Sequence, residues 1–233
     1  MNIWQQFLWV VYPYVMTTIF IVGHIYRYNT DQLSWTAKSS EFLEKKQLRI
    51  GSLMFHFGIL AVFFGHVVGL LVPKSLLTNM GISEAAYHQG AIYGGGLVGI
   101  VAFAGILLLF IRRTSNARVR ATSSTGDVVV VVLLCIIMGM GLYNTIGFNL
   151  FVGGFDYRET IAPWFRGLLT FTPDAAYMIH VPLFYQLHVI FSFALFGIWP
   201  FTRLVHVWSV PVSYFRRSFI VYRRRNAVHN SRI

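Results

Sequence analysis

The sequence predicts an all-α integral membrane bundle of five transmembrane helices, with the amino terminus outside and the carboxyl terminus in the cytoplasm. Three observations lead to this prediction: the composition, five long apolar stretches, and the positions of the basic residues. Of the 233 residues, 56% are hydrophobic and only 12% are charged, whereas soluble domains average about 25% charged residues. A chain this apolar needs lipid around its helices.

Each of the five apolar stretches can cross a bilayer, which takes about 20 helical residues. Only helices and closed barrels satisfy their backbone polar groups in lipid, and these stretches are too long and continuous for barrel strands. We interpret the first stretch as a retained helix, not a signal peptide, because no Lys or Arg precedes it. The whole chain, 1–233, is predicted to be one domain that ends in a basic cytoplasmic tail at 207–233. The predicted spans are 4–26, 50–72, 88–111, 127–149 and 180–206.

The basic residues set the predicted orientation. The formal net charge of +11 would suggest nucleic acid as a partner of a soluble protein, but in a membrane protein the charge is interpreted by position. All but three of the 19 Lys and Arg lie in the first connection, the third connection or the carboxyl-terminal region. Basic connections stay in the cytoplasm, so the second and fourth connections, which hold only Lys74, Arg158 and Arg166, are predicted to lie outside.

Local signals refine the helix ends. The segment 123–127 offers N-cap residues for the fourth helix. Pro13 and Pro200 are expected to kink the first and fifth helices, as neighbouring helices permit in a membrane. The glycine- and proline-containing stretch 150–179 is predicted to be an external connection with a short surface helix around Trp164.

Four of the eight histidines lie inside predicted spans in matched order. His56 and His66 are on the second span, and His188 and His206 are on the fifth. Because these helices run in opposite directions, His66 should face His188 near the outer side, and His56 should face His206 near the inner side. Ionisable residues in a membrane mark a functional site by default, and two such pairs would supply the axial ligands of two b hemes. A histidine-lined ion pathway, or histidines hydrogen-bonded singly to neighbouring helices, remain open as alternatives.

The spacing of the histidines differs between the two helices. His188 and His206 are 18 residues apart, which places them on one face of a regular helix with a rise of about 27 Å. His56 and His66 are 10 residues apart, which gives an offset of about 80° and a rise of about 15 Å. Tilted hemes and a kink at Pro200 are expected to absorb the difference.

Small and basic residues lie near these histidines. Gly58, Gly65 and Gly69 would let a porphyrin approach the second helix, although ordinary small-residue helix packing explains them equally well. Arg112, Arg113 and Arg203 at the inner side are candidates to pair with heme propionates, because Arg binds carboxylates bidentately. Anchoring at the cytoplasmic surface is the simpler role for most of these arginines.

Several motifs resemble a known family. The segment 201–212, with sequence FTRLVHVWSVPV, resembles the end of the last helix in the gamma subunit of membrane-bound respiratory nitrate reductase. The same family is resembled by the pairs Arg27-Tyr28, Phe55-His56 and Gly65-His66 and by the segments 35–40 and 118–122. The resemblance covers nearly the whole chain and is weakest at 74–90 and 150–180.

The resemblance implies a diheme cytochrome b with the same ligand pairs, His66 with His188 for the outer heme and His56 with His206 for the inner one. It implies quinol oxidation at the outer side, with electrons passing through the hemes to cytoplasmic iron–sulfur and molybdenum subunits that reduce nitrate. The quinol is expected to be menaquinol, and Gly69, Tyr87 and His88 are the candidate residues for binding it. In the family a lysine of the connection after the second helix is associated with quinol binding, and the segment Glu84–His88 of this chain occupies that region without a lysine. The expected location is the bacterial cell membrane, with no nucleic-acid partner and with lipid at the basic tail. No catalytic residue is assigned beyond these cofactor and quinol contacts.

Three other functions fit parts of the pattern. A related cytochrome b could serve a sulfite- or heterodisulfide-linked reductase and would differ in its partner subunits. A proton-coupled transporter would use the histidines as a proton relay without heme. A membrane anchor without heme would also be colourless, so an absorption spectrum separates both from a cytochrome.

Overall fold

The computed structural model describes residues 2–36 and 40–209, and it confirms the predicted all-helical membrane bundle. In this part of the chain five helices are long and apolar enough to cross a membrane, and no strand occurs. Most of the predicted basic tail, from residue 210 onward, lies outside the described residues. The five helices are Ile3–Thr30, Lys46–Leu71, Glu84–Ser115, Thr125–Phe151 and Leu183–Phe201.

The fourth helix begins at the predicted capping segment. The Ser124 hydroxyl accepts a hydrogen bond from the backbone N–H of Asp127, and the Asp127 carboxylate accepts one from the backbone N–H of Ser124, each at 3.2 Å. This reciprocal capping box satisfies two N–H groups that the first helical turn leaves without partners. The N-cap prediction for segment 123–127 is therefore confirmed.

The second and third helices are in close backbone contact. A Cβ atom added to Gly58 would lie 2.7 Å from the Cβ of Ala102, and one added to Gly51 would lie 3.2 Å from the carbonyl oxygen of Gly105. Small residues at such positions let two backbones approach closely in a membrane. Gly58 therefore serves helix packing, whereas no atom lies within 4 Å of a Cβ added to Gly65.

The fifth helix does not continue through residue 206, so that part of the predicted span 180–206 is wrong. Its α-helical part is Leu183–Ile198, a 3₁₀ turn follows at Trp199–Phe201, and a separate 3₁₀ segment occupies Arg203–Ser209. Pro200 has no N–H to donate and its ring crowds the preceding turn, which is why the α-helix ends just before it. The kink predicted at Pro200 is therefore a full break between two helical segments.

Pro13 has a milder effect on the first helix. A π-helical turn at Phe7–Val11 comes immediately before it, and the regular helix Tyr12–Thr30 has Pro13 in its first turn. Proline has no N–H to donate to the preceding turn, and the π turn lies where that hydrogen bond is missing. The helix nevertheless continues on both sides of Pro13.

The predicted short helix around Trp164 is present as Ile161–Leu169, but its tryptophan is buried. Trp164 is only 1% exposed, packs edge-on against Trp9 at 5.9 Å between ring centres, and donates its indole N–H to the Trp9 carbonyl at 2.8 Å. The fourth connection therefore folds onto the end of the first helix and closes the bundle on this side.

We expect Trp164→Ala to lower the free energy of unfolding by about 3–5 kcal/mol, as for other buried aromatic residues. The change leaves a cavity beneath the connection and removes the hydrogen bond to Trp9. Thermal unfolding in detergent measures the effect. The exposed Trp4 is the matched control, since Trp4→Ala removes the same ring from a residue that is 71% exposed. Equal destabilisation by both variants would contradict the structural role of Trp164.

Candidate functional site

The four histidines form two pairs in the structure, with the partners that the topology predicts. The ring centres of His56 and His206, the inner pair, are 6.1 Å apart with ring planes at 69°. Those of His66 and His188, the outer pair, are 6.2 Å apart with planes at 21°. The second helix packs mainly on the third, whereas the fifth packs on the first and fourth. The imidazoles therefore face each other across a gap between two helices that belong to different sides of the bundle.

All four imidazoles are held by the same nitrogen. Nδ1 of each ring lies within hydrogen-bond distance of a backbone carbonyl oxygen, which can only accept, so the proton is on Nδ1 and the lone pair is on Nε2. This is the arrangement typical of histidines that bind a metal through one nitrogen and are oriented through the other. The carbonyl partners are Ser52 for His56 at 2.7 Å, Val62 for His66 at 2.8 Å, Ile137 for His188 at 3.0 Å and Arg203 for His206 at 2.6 Å.

The spacing within each pair fits one iron atom between two rings. Two metal–nitrogen bonds of about 2 Å, added to about 1.1 Å from each ring centre to Nε2, give about 6 Å between ring centres. The observed separations of 6.1 and 6.2 Å agree with this value. Within residues 2–36 and 40–209 no cluster of three or more His, Cys, Asp or Glu could hold a metal ion. A heme needs only two axial ligands from the protein, so the residues present fit it.

The fourth helix positions His188, a contribution that the sequence did not reveal. Its Ile137 carbonyl accepts a hydrogen bond from Nδ1 of His188. The backbone of Gly141, one turn further along the fourth helix, is in contact with the same imidazole ring. A Cβ added to Gly141 would be 3.1 Å from Cε1 of His188. Gly141 stands among other glycines of an apolar stretch, and nothing in its sequence context distinguishes it.

His24 shows how a membrane histidine differs when it belongs to no pair. Its Nδ1 lies 2.6 Å from the Phe20 carbonyl, as in the four paired rings. Its Nε2, however, accepts a hydrogen bond from the indole N–H of Trp208 at 3.1 Å. This nitrogen is already satisfied by a protein donor, so His24 is a structural histidine of the inner end.

The inner arginines have different partners. Arg112 is 2% exposed and makes four hydrogen bonds at 2.7–3.0 Å to Ser40 and Glu44 of the first connection. Hydrogen bonding from the Gln47 backbone, together with Arg112, holds the pKa of Glu44 below its usual value. The predicted propionate contact of Arg112 thus competes with four contacts that fix the first connection.

Arg203 is the most exposed of the three arginines predicted near the inner heme. Its guanidinium is 3.6 Å from the Asp127 carboxylate and remains 27% exposed, while its carbonyl orients His206. Arg113 contacts the same carboxylate at 3.4 Å and the Ser123 hydroxyl at 2.7 Å. Arg203 therefore stays the better candidate for a propionate partner.

At the predicted outer end, Gly69 and Tyr87 come together around a residue that the sequence did not single out. Tyr157 from the fourth connection lies against Gly69, where a Cβ atom would also be 2.9 Å from the Tyr87 hydroxyl. The two phenol groups are hydrogen-bonded at 2.9 Å. His88 follows Tyr87 in the sequence and lies beside the fourth connection, with its Nε2 4.0 Å from a Cβ added to Gly154.

An ion-pair network surrounds these tyrosines. Lys74 contacts Asp156 at 2.5 Å and Glu159 at 2.7 Å, and Arg158 pairs with Glu84 while lying 3.8 Å over the Tyr87 ring. Burial alone would raise the pKa of Asp156, but hydrogen bonds from Lys74 and the Arg158 backbone outweigh burial and lower it. Burial would lower the pKa of Lys74, and its hydrogen bonds to the two carboxylates raise it instead.

The chain is similar to proteins of one family over almost its whole length. The family model described as nitrate reductase gamma subunit matches residues 5–225. The chain is 49% identical over 221 residues to the nitrate reductase gamma chain of Bacillus subtilis, covering 95% of this chain and 99% of that one. It is 36% identical over 220 residues to the respiratory nitrate reductase 2 gamma chain of Escherichia coli, covering 94% and 96% of the two chains.

The outer ion pairs predict a pH dependence of stability. Because the pKa of Asp156 is lower in the folded protein, its stabilising contribution is present above the unfolded pKa of about 3.9 and is lost as the pH falls through the folded-state pKa. We expect Asp156→Asn to be about 1 kcal/mol less stable than the unchanged protein at neutral pH. In thermal unfolding this difference should shrink as the pH falls below about 4 and vanish below the folded-state pKa of Asp156.

A double-mutant cycle with Lys74→Met isolates the ion pair. The two substitutions together should destabilise less than the sum of their separate effects, because each one alone already breaks the Lys74–Asp156 contact. A difference between Asp156→Asn and the unchanged protein that stays constant down to low pH would contradict this assignment.

Proposed function

The chain belongs to the nitrate reductase gamma subunit family, and we propose that it serves a nitrate reductase as the diheme cytochrome b subunit that oxidises quinol. The proposal is carried by the two histidine pairs. In each pair the distance between ring centres fits one iron atom between the imidazoles, and Nδ1 of every ring is bonded to a backbone carbonyl. Relatives named as nitrate reductase gamma chains, matched over almost their full length, support the same function.

The proposed ligands are His66 and His188 for the outer heme and His56 and His206 for the inner heme. When bound, the two hemes supply one-electron carriers at two depths of the bundle, between the quinol and the partner subunits. The protein's part is to present four neutral imidazoles through Nε2 and to fix their orientation through Nδ1. Neutral imidazole that coordinates iron no longer carries the cost of an unpaired polar group in the membrane.

We place quinol binding at the predicted outer end, beside Gly69, Tyr87 and Tyr157. Oxidation of a quinol to a quinone releases two electrons and two protons, so its site needs hydroxyl-bonding groups and an exit for protons to water. The two phenols offer the hydrogen-bonding atoms, and the absent side chain of Gly69 leaves room for them next to the second helix. His88, the residue after Tyr87 and a neighbour of Gly154, remains a candidate contact, and menaquinol is the quinol we expect.

Lys74 is not available as a free cation for the quinol. It lies in the connection after the second helix, where the family resemblance associates a lysine with quinol binding. Its ammonium group is bound by Asp156 and Glu159, which offset its charge. We therefore assign Lys74 to the support of the connection, and assign the polar contacts of the quinol to the tyrosines.

The proposed partners are a cytoplasmic iron–sulfur subunit and a molybdenum catalytic subunit, on which nitrate is reduced. The predicted cytoplasmic end carries most of the basic residues, and it is the end to which the inner pair is nearer. A basic surface there attracts acidic protein surfaces and anionic lipid headgroups. Electrons delivered at this end cross the membrane from outside to inside, which separates charge.

The heme assignment is tested by His66→Gln. Loss of one axial ligand should remove the outer heme, because one imidazole does not hold a six-coordinate b heme at that position. We expect one heme per chain in place of two by pyridine hemochrome analysis, and loss of reduction by a quinol analogue in difference spectra.

His24→Gln is the matched control for that experiment. It changes another histidine of a membrane helix whose Nε2 is bonded to Trp208, and both hemes should remain. A colourless unchanged protein, or two hemes and normal quinol oxidation in His66→Gln, would overturn the assignment and favour a transporter or an anchor.

The quinol site is tested by Tyr157→Phe. The change removes one hydroxyl and keeps the ring. We expect the rate of quinol oxidation to fall about 2- to 10-fold, which corresponds to the loss of one hydrogen bond. Steady-state oxidation of a menaquinol analogue gives the measure, with heme content unchanged. Tyr177→Phe, which alters an exposed tyrosine of the same connection, is the control. Equal activity of the two variants would place the quinol elsewhere.

A further inference from the structure

The position of His206 depends on the break at Pro200. His206 lies in the 3₁₀ segment Arg203–Ser209, beyond the end of the fifth helix. The carbonyl groups at the end of a helix have no intrahelical donors and must be satisfied in another way when water is scarce. The residues that satisfy them decide where the chain goes next, and therefore where the imidazole of His206 lies.

Arg27, at the inner end of the first helix, supplies those donors. Its Nη1 donates to the carbonyls of Pro200 at 2.6 Å and of Thr202 at 2.8 Å. Its Nη2 donates to the Ser34 carbonyl at 2.7 Å and to the Ser34 hydroxyl at 3.2 Å. One guanidinium thus joins the end of the fifth helix to the first connection, and its positive charge lies at the helix end that favours a cation.

Gly23 completes the contact one turn earlier on the first helix. A Cβ atom at this position would lie 2.8 Å from Cγ and 2.9 Å from Cβ of Pro200, so the proline ring rests directly on the helix backbone. Both Gly23 and Pro200 are buried. A larger residue at position 23 would push the break away from the first helix.

Thr202 passes this placement on to the segment that carries the histidine. Its backbone is extended, and its hydroxyl accepts a hydrogen bond from the Leu204 N–H at 3.3 Å. The next residue, Arg203, provides the carbonyl that holds Nδ1 of His206. Val205 is fully buried and anchors the same turn. Only three residues separate the Arg27 contact at Thr202 from His206, and all three lie in the 3₁₀ segment Arg203–Ser209.

We propose that Arg27 and Gly23 form a clamp on the Pro200 break that places His206 opposite His56. Arg27 is thus a positioning residue for the inner pair, acting through Pro200 and Thr202. The inference rests on the proposed function, since the position of His206 relative to His56 matters only when the two histidines bind the inner heme. The outer pair does not depend on the clamp, because His188 precedes the break and is fixed by the fourth helix.

The test uses membranes that contain the complete complex, with electron paramagnetic resonance of the oxidised low-spin hemes and redox titration. His206→Gln identifies the inner heme signal. We expect Arg27→Met and Gly23→Ala to shift that signal or to reduce its occupancy about 10-fold or more, as loss of groups that orient a metal ligand does. The outer heme signal should be retained. Arg27→Lys keeps the positive charge but can donate fewer hydrogen bonds to these carbonyls, so its effect on the inner heme signal should be intermediate.

Arg120→Met is the matched control, because Arg120 is an exposed arginine of the predicted inner end that donates to one backbone carbonyl, that of Thr114. It should leave both signals unchanged. Unchanged inner signals in Arg27→Met and Gly23→Ala would overturn the clamp and leave the proposed function intact. Parallel loss of both heme signals would also overturn it, since Arg27 would then support folding in general. A protein without heme, or two hemes in His206→Gln, would instead overturn the proposed function.

Discussion

Side chains of the candidate site donate hydrogen bonds to backbone carbonyl oxygens, and these bonds fix the positions of the residues that form it. In lipid no water compensates for an unpaired N–H, so each imidazole N–H has to find an acceptor inside the protein. Each paired imidazole gives its Nδ1 proton to such a carbonyl, which fixes the ring and leaves Nε2 for a metal. The Arg27 guanidinium does the same for the carbonyls at the Pro200 break. Side-chain hydrogen bonds to backbone carbonyls thus determine the tautomer of the histidines, their orientation and the path of the chain that carries the last of them.

The pairing of the histidines could be predicted from the sequence because it depends only on depth in the membrane. Apolar length and basic connections set the direction of each helix, and opposite directions match His66 with His188 and His56 with His206. The unequal spacing of the two sets could not be resolved in this way. Its solution depends on Arg27 and Pro200, which are 173 positions apart, and sequence patterns within one helix carry no information about such a contact.

Residues of one type with similar sequence surroundings have different roles here. Arg112 and Arg203 both follow an apolar stretch at the predicted inner end, yet Arg112 is buried on Ser40 and Glu44 while Arg203 is partly exposed beside Asp127. Tyr157 lies in a connection without periodicity, and only the folded chain brings it to Gly69. Arginines and tyrosines are long enough to reach several partners, so tertiary packing decides between them.

The two ends of the bundle differ in how their helices are built. Each of the first four spanning helices contains one π-helical turn, at Phe7–Val11, Val67–Leu71, Gly90–Gly95 and Tyr143–Gly147. Because the helices alternate in direction, all four turns lie at the predicted outer end. A π turn inserts one residue, re-aims the side chains beyond it and often marks a functional site. The π turn Val67–Leu71 follows His66 and contains Gly69, and the π turn Gly90–Gly95 begins two residues after His88. The local widening of these two helices therefore coincides with the residues proposed to bind quinol. At the predicted inner end the first four helices are regular, and hydrogen bonds from Arg27 fix the break in the fifth, as suits a fixed cofactor. A substrate that enters and leaves needs the more adaptable geometry of the outer end.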